Sequence, residues 1–256
     1  MHLRTLFLTS LLSFGFCQTA LSQQQNRILD HNFNGWYMYF GDHPIGQGPW
    51  GIHIEGQWRR HNFITDNQQL MVRPGVNYQV NPNLMLTAGY LFVKTYRYGD
   101  FPVAAAFPEH RIFQQAVVKH SIGRVGLSHR YRLEQRFLGE VSVQGGRDPE
   151  VQRWRHENRF RYQFRSTIPF RGSSIDQGSL YAALYNEFFV NFGQNVAANV
   201  FDQNRAYAAA GYAVTKDTRV EAGYLNQIIQ QRNGRIFEVN HTFQLAVFST
   251  IPFGRN

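Results

Sequence analysis

Cysteine is all but absent. The chain holds one, Cys17, inside a segment that reads as an export signal, so the mature protein is expected to have none. That excludes disulfides and thiolate metal sites. Phe16 precedes Cys17 where a lipoprotein signal expects a small residue, so lipidation there is not expected. Long apolar runs are missing too. The one hydrophobic stretch, Leu6 to Phe16, falls short of the about 20 residues a helix needs to cross a bilayer. No amphipathic helix stands out, and there is no phosphate-binding loop, dinucleotide fingerprint or zinc-type His/Glu spacing. No cofactor and no metal ligand set is therefore expected.

What is present begins with a basic start (His2, Arg4), then that apolar stretch, then Ala20-Leu21-Ser22, a small-x-small pattern suited to signal peptidase. Residues 1–22 are predicted to be a signal peptide and residues 23–256 a single domain. The formal net charge is +9, and loss of Arg4 lowers it by one. A basic balance admits nucleic acid, anionic lipid or acidic ligands. Here the arginines recur at every second residue of extended segments, so an exposed basic patch is not the simplest reading and no nucleic-acid partner is expected.

Period two dominates. From Arg153 to Arg165 the odd positions read Arg153, Arg155, Glu157, Arg159, Arg161, Gln163, Arg165, and the even ones Trp154, His156, Asn158, Phe160, Tyr162, Phe164. One side is polar and the other largely aromatic, over a length greater than the usual strand of about 5 to 6 residues. The length suits a tilted membrane-spanning strand of about 9 to 11 residues plus its ends. Between Arg124 and Arg136 the pattern repeats, with Arg130, Arg132, Glu134 and Arg136 on one side and Leu127, His129, Tyr131 and Leu133 on the other. Further alternating segments lie near 52–60, 69–80, 84–96, 111–121, 180–192, 205–214, 218–230 and 235–248, with a shorter one at Trp36 to Phe40.

Tight turns at Asn81-Pro82-Asn83, Ile122-Gly123 and Thr215-Lys216-Asp217 alternate with longer loops near 97–110, 137–152 and 193–204. That is the layout of an outer-membrane barrel, with short turns on one side and long loops on the other. The linker from Arg171 to Ser179 is long where a tight turn is expected. Two echoes, Ala88-Gly89-Tyr90-Leu91 with Ala222-Gly223-Tyr224-Leu225, and Thr167-Ile168-Pro169-Phe170 with Thr250-Ile251-Pro252-Phe253, fit the same alternation of strand direction. The expected fold is all-β: an antiparallel up-and-down transmembrane barrel of about ten to twelve strands, an even count being the rule for bacterial barrels. Either residues 23–35 hide a further strand, or Trp36 to Phe40 is not part of the wall.

The charged rows predict a lumen-facing network of Arg130, Arg132, Glu134, Arg136, Arg155, Glu157, Arg159, Arg161, Glu187, Arg219, Glu221 and Glu238. Two readings apply: a lumen filled by arginine–carboxylate pairs, or an anion-attracting pore or ligand cavity. Aromatic residues near strand ends, including Tyr37, Tyr39, Tyr78, Tyr96, Tyr131, Phe164, Phe192 and Phe248, are expected to form interfacial girdles. No catalytic residues are assigned. His120-Ser121 and Ser128-His129 are chain neighbours, and adjacent strand side chains point to opposite faces, so neither pair forms a dyad directly.

The order of Leu70 to Tyr78 before a tight turn, Ala88-Gly89-Tyr90 after it, His129 to Arg136, Arg155 to Tyr162, Tyr185 to Phe189 and Phe201 to Arg205 running on to Gly223-Tyr224 resembles the bacterial family of exported barrel proteins known as domain of unknown function 2490. The resemblance covers nearly all of the mature chain and implies an outer-membrane barrel, with no substrate, catalytic residue or cofactor attached. The closing Phe253-Gly254-Arg255-Asn256 lacks the terminal aromatic residue common in barrels.

The reading at this level is a non-enzymatic integral protein of the outer membrane. Its expected partners are outer-membrane lipid (lipopolysaccharide and phospholipid) and the barrel-assembly machinery, and its role is structural, or passage or binding of a small solute. Two rivals are an outer-membrane enzyme acting on lipid, using residues such as Ser121, Ser128 and His241, and a soluble periplasmic sandwich or lipocalin-like binder.

Overall fold

The computed structural model describes residues 27–142 and 150–254, so the predicted signal peptide lies outside the described residues. Alternating polar and apolar side chains leave most segments one apolar and one polar face, and the chain resolves this by rolling its strands into a closed wall. These are β1 (Ile28–Pro44), β2 (Trp50–His61), β3 (Asp66–Asn81), β4 (Leu84–Thr95), β5 (Phe107–Ile122), β6 (Val125–Ser142), β7 (Glu150–Pro169), β8 (Leu180–Phe192), β9 (Phe201–Ala213), β10 (Thr218–Gln230) and β11 (Ile236–Ser249). Each pairs antiparallel with its chain neighbours, and β1 closes the barrel against β11.

The eleven strands fall within the expected ten to twelve, and their odd number departs from the even count usual in bacterial barrels. With eleven strands the first and last run in the same direction, and β1 pairs β11 in parallel from Ile28↔Ile236 to Gly41↔Ser249. Among the described residues neither alternative for the N-terminal region holds: residues 28–35 and Trp36 to Phe40 belong to one long wall strand. Among the described residues closure leaves no exposed strand edge, which would otherwise template pairing with other chains.

The turns between β3 and β4 and between β5 and β6, each two residues long, and the Val214–Asp217 turn cluster at one end of the barrel. The long residue 170–179 connection is at the same end. The opposite, long-loop end carries residues 96–106 and 193–200. There, Tyr98 of the 96–106 loop turns inward and donates to Glu238 Oε2 (2.7 Å), while Gln231 donates to the Phe101 carbonyl (3.2 Å).

The Ala-Gly-Tyr-Leu echo has a packing reason. In both copies the leucine (Leu91, Leu225) is fully buried inside the barrel and the tyrosine (Tyr90, Tyr224) is exposed outside it. A Cβ on Gly89 would overlap the Pro74 carbonyl oxygen and the Phe113 ring, and one on Gly223 would overlap the Ala208 carbonyl. Glycine is what lets neighbouring strands approach this closely at the bend of a small barrel. In the other echo, Pro169 ends β7, and Phe253 forms an isolated bridge with Ile45 just beyond β11.

Candidate functional site

On most strands the polar face turns to the lumen; β4 is the exception, lining it with Met85, Thr87, Leu91, Val93 and Thr95. Glu134, at the centre of β6, has no solvent exposure. Arg159 donates to its Oε2 through Nε (2.9 Å) and Nη2 (2.6 Å), and Arg161 Nη1 donates to its Oε1 (2.8 Å). Arg111 and Arg73 stand within 3.5 and 3.7 Å from β5 and β3. Glu187 on β8 accepts from Arg161 (2.7 Å) and Arg130 (2.9 Å). Glu109 on β5 accepts from Arg111 (2.7 Å) and Arg136 (2.6 Å). Burying guanidinium and carboxylate groups is tolerated only when each meets an opposite charge and its donors are filled.

Inward aromatic rings share this work, Phe248 beneath Arg165 (5.4 Å) among them. Trp36 stacks beneath Arg59 (3.7 Å from ring centroid to Cζ) and near Arg205 (5.0 Å). Phe189 carries Arg161 (4.4 Å) and Arg205 (4.7 Å), and Phe113 lies between Arg73 and Arg132, each 5.2 Å away. Arginine is weakly hydrated and planar, so a ring face offsets part of what it loses on leaving water. Trp36 also donates to Gln68 Oε1 (2.8 Å).

The layer of Trp36, Arg59, Arg73, Arg161 and Arg205 forms a waist. Side chains lining a water-filled pore would be wetted, yet these are 1 to 8 % exposed. Above the waist, toward the long-loop end, is a cavity of about 200 Å³ roofed by Tyr98, Phe101, Pro102 and Val103. Below it is a second cavity of about 170 Å³. The second joins an open mouth of about 500 Å³ at the tight-turn end, with which it shares Asp42, Lys119, Ser128 and Arg165. Burial, reinforced by the Glu238 carboxylate, pushes the Tyr98 hydroxyl well above the ordinary phenol range, so it stays a hydrogen-bond donor in the roof.

Of the network residues read from the sequence, Arg132, Glu134, Arg136, Glu157, Arg159, Arg161, Glu187, Glu221 and Glu238 are buried, and Arg130, Arg155 and Arg219 half-buried. They do not form one cluster. Arg155 and Glu157 lie toward the long-loop end, where Arg155 also meets Glu140 (3.2 Å). Glu221 lies near the tight-turn mouth, accepting from Tyr181 (2.9 Å) and pairing with Arg165, and Arg219 lines that mouth. Sequence reasoning missed Arg59, Arg73, Arg111 and Arg205 and the stacking rings, although each occupies the polar side of its strand.

The outer face is apolar, with Leu70, Val72, Ile112, Leu133, Phe160, Leu184 and Phe188 exposed. Its polar members satisfy one another: Gln114 and Gln135 exchange hydrogen bonds across β5 and β6 (3.2 Å each), as do Asn186 and Asn204 (3.2 and 3.1 Å). His129 bonds Tyr162 (2.7 Å) and His241 bonds Tyr224 (2.7 Å). One expected girdle residue is misplaced: Phe248 points inward, lining the lower cavity and the mouth. It shares parity with the inward Gln244 and Ala246.

The family described as Protein of unknown function (DUF2490) matches residues 33–238. An uncharacterized protein of Methylorubrum extorquens is 30% identical over 202 residues, covering 76% of this chain and 78% of that one. No solved structure matches.

Proposed function

From the premise that the chain belongs to the DUF2490 family of proteins of unknown function, we propose that it is an integral β-barrel of the Gram-negative outer membrane, without enzymatic activity, whose closed-waisted lumen holds a small solute. The observation that carries this reading is the inversion of polarity: leucine, valine and aromatic side chains face out around the wall while charge is buried within. A water-soluble barrel would present the opposite, since exposed apolar surface on this scale drives association, whereas a bilayer requires it. Mutual pairing of the outward amides and His–Tyr pairs supports it too, because polar groups facing hydrocarbon need partners. Tight turns would lie on the periplasmic side and long loops outside.

The lipid-enzyme alternative gains nothing from the geometry. Ser128 lines the lumen from β6, whereas His241 faces outward on β11 and is held by Tyr224.

Density-gradient fractionation tests the reading: the protein is expected with outer membranes and resistant to carbonate extraction, and recovery in the soluble periplasm would refute it. In the same setting Leu133→Arg, which puts charge on the outer face at mid-strand of β6, is expected to destabilise the barrel refolded in lipid vesicles by about 2–4 kcal/mol. A cost near zero would mean that position does not face hydrocarbon.

A further inference from the structure

The cavity below the waist is unbalanced. Seven arginines line it (Arg59, Arg73, Arg130, Arg132, Arg161, Arg165, Arg205) against three carboxylates, Asp42, Glu55 and Glu187. Counting Glu134 and Glu221, which reach Arg161 and Arg165 from outside the cavity, still leaves five carboxylates facing seven guanidinium groups. Lys119 adds a further cation at the entrance.

Some of these donors are also unfilled. Arg132 is 2 % exposed; its Nε and Nη2 both donate to Gln115 Oε1 (2.9 and 2.5 Å), but its Nη1 has no hydrogen-bond partner. Arg73 Nε and Arg130 Nε are likewise buried without acceptors. A buried charged donor without an acceptor is costly, and three of them belong to guanidinium groups that line one cavity with an excess of positive charge.

Building on the solute-binding reading above, we infer that this cavity is a binding site for the phosphoryl group of a small soluble phosphate or phosphate monoester, entering from the tight-turn mouth. The unfilled donors come from β3 and β6 and the remaining cations from β2, β5, β7 and β9, so they converge from several directions. That arrangement suits a tetrahedral oxyanion better than the single plane of a carboxylate. At about 170 Å³ the cavity has room for about five or six water-sized volumes: enough for a phosphate with a short organic stub, too little for an oligosaccharide. A lipid headgroup shares the chemistry, but every strand is hydrogen-bonded to two neighbours, leaving no lateral gap for acyl chains.

The test is calorimetric titration of inorganic phosphate into the folded, detergent-purified protein, with short-chain phosphatidic acid as a second arm. Saturable binding of inorganic phosphate is expected, weakened at least tenfold in Arg132→Gln and unchanged in Arg153→Gln, whose side chain sits on the rim far from the cavity. Ser128→Phe, which narrows the passage to the mouth without removing a cation, is expected to abolish uptake, and it decides the matter if Arg132→Gln does not fold. Absence of saturable phosphate binding, binding of the lipid alone, or equal affinity in both folded variants would overturn the inference. Membrane fractionation is read separately, so loss of the site and loss of the outer-membrane reading remain distinguishable.

Discussion

Glu134→Gln is expected to lower the unfolding free energy by about 3–5 kcal/mol, the usual effect of removing one partner from a buried ion pair. The substitution keeps shape and volume, so no cavity is made and the loss is electrostatic. Three hydrogen bonds from Arg159 and Arg161 end on this carboxylate, with Arg111 and Arg73 close behind. Asp202 (2.8 Å) and Glu187 still reach Arg159 and Arg161, which keeps the effect within that range. Urea unfolding in lipid vesicles measures it. Glu140→Gln is the contrast: its partners Arg153 and Arg155 lie at the rim with the carboxylate itself open to solvent, and its removal is expected to leave the unfolding midpoint where it was, because solvent screens such pairs. Equal effects from the two substitutions would contradict the central role given to Glu134.

The second large effect concerns conductance. Wild-type protein in planar bilayers is expected to pass no steady current, because the waist fills the lumen of a barrel much narrower than the about 16 to 18 strands of open porins. The triple variant Trp36→Ala, Arg59→Ala, Arg205→Ala removes the ring and the two guanidinium groups stacked on it, joining the cavities above and below. It is expected to give discrete, anion-selective steps, since Arg73, Arg130, Arg132 and Arg161 still line the path. A stably conducting wild type would show that the waist is not a barrier, and a folded but silent triple variant would place the closure elsewhere.

Most of the wall was legible in the sequence because inside and outside differ so sharply in polarity. The stretch from Arg153 to Arg165 needed only parity to be read correctly. Strand beginnings were harder. β7 starts at Glu150 and its first outward positions, Glu150 and Gln152, are polar, so the two-residue period fades before the strand does. β1 similarly extends back to Ile28 through outward His31 and Gly35, which blur the apolar side. The parallel β1–β11 seam left no local trace, since strand parity depends on every strand being counted.

The site divides in the same way. Parity placed the charged rows in the lumen and could have placed Phe248 there. It could not say that Arg73, three strands from Glu134, approaches the same carboxylate as Arg159, because that contact depends on barrel curvature and inter-strand register. Nor could it distinguish filled donors from the unfilled Nη1 of Arg132, which is fixed by where Gln115 and Glu134 fall around one guanidinium.

The measurement that bears most directly on the central claim is gel migration of the protein extracted from purified outer membranes, unheated against boiled. A closed membrane barrel predicts a compact, detergent-resistant band in the unheated lane that shifts on boiling; a soluble protein with identical migration in both lanes would contradict it.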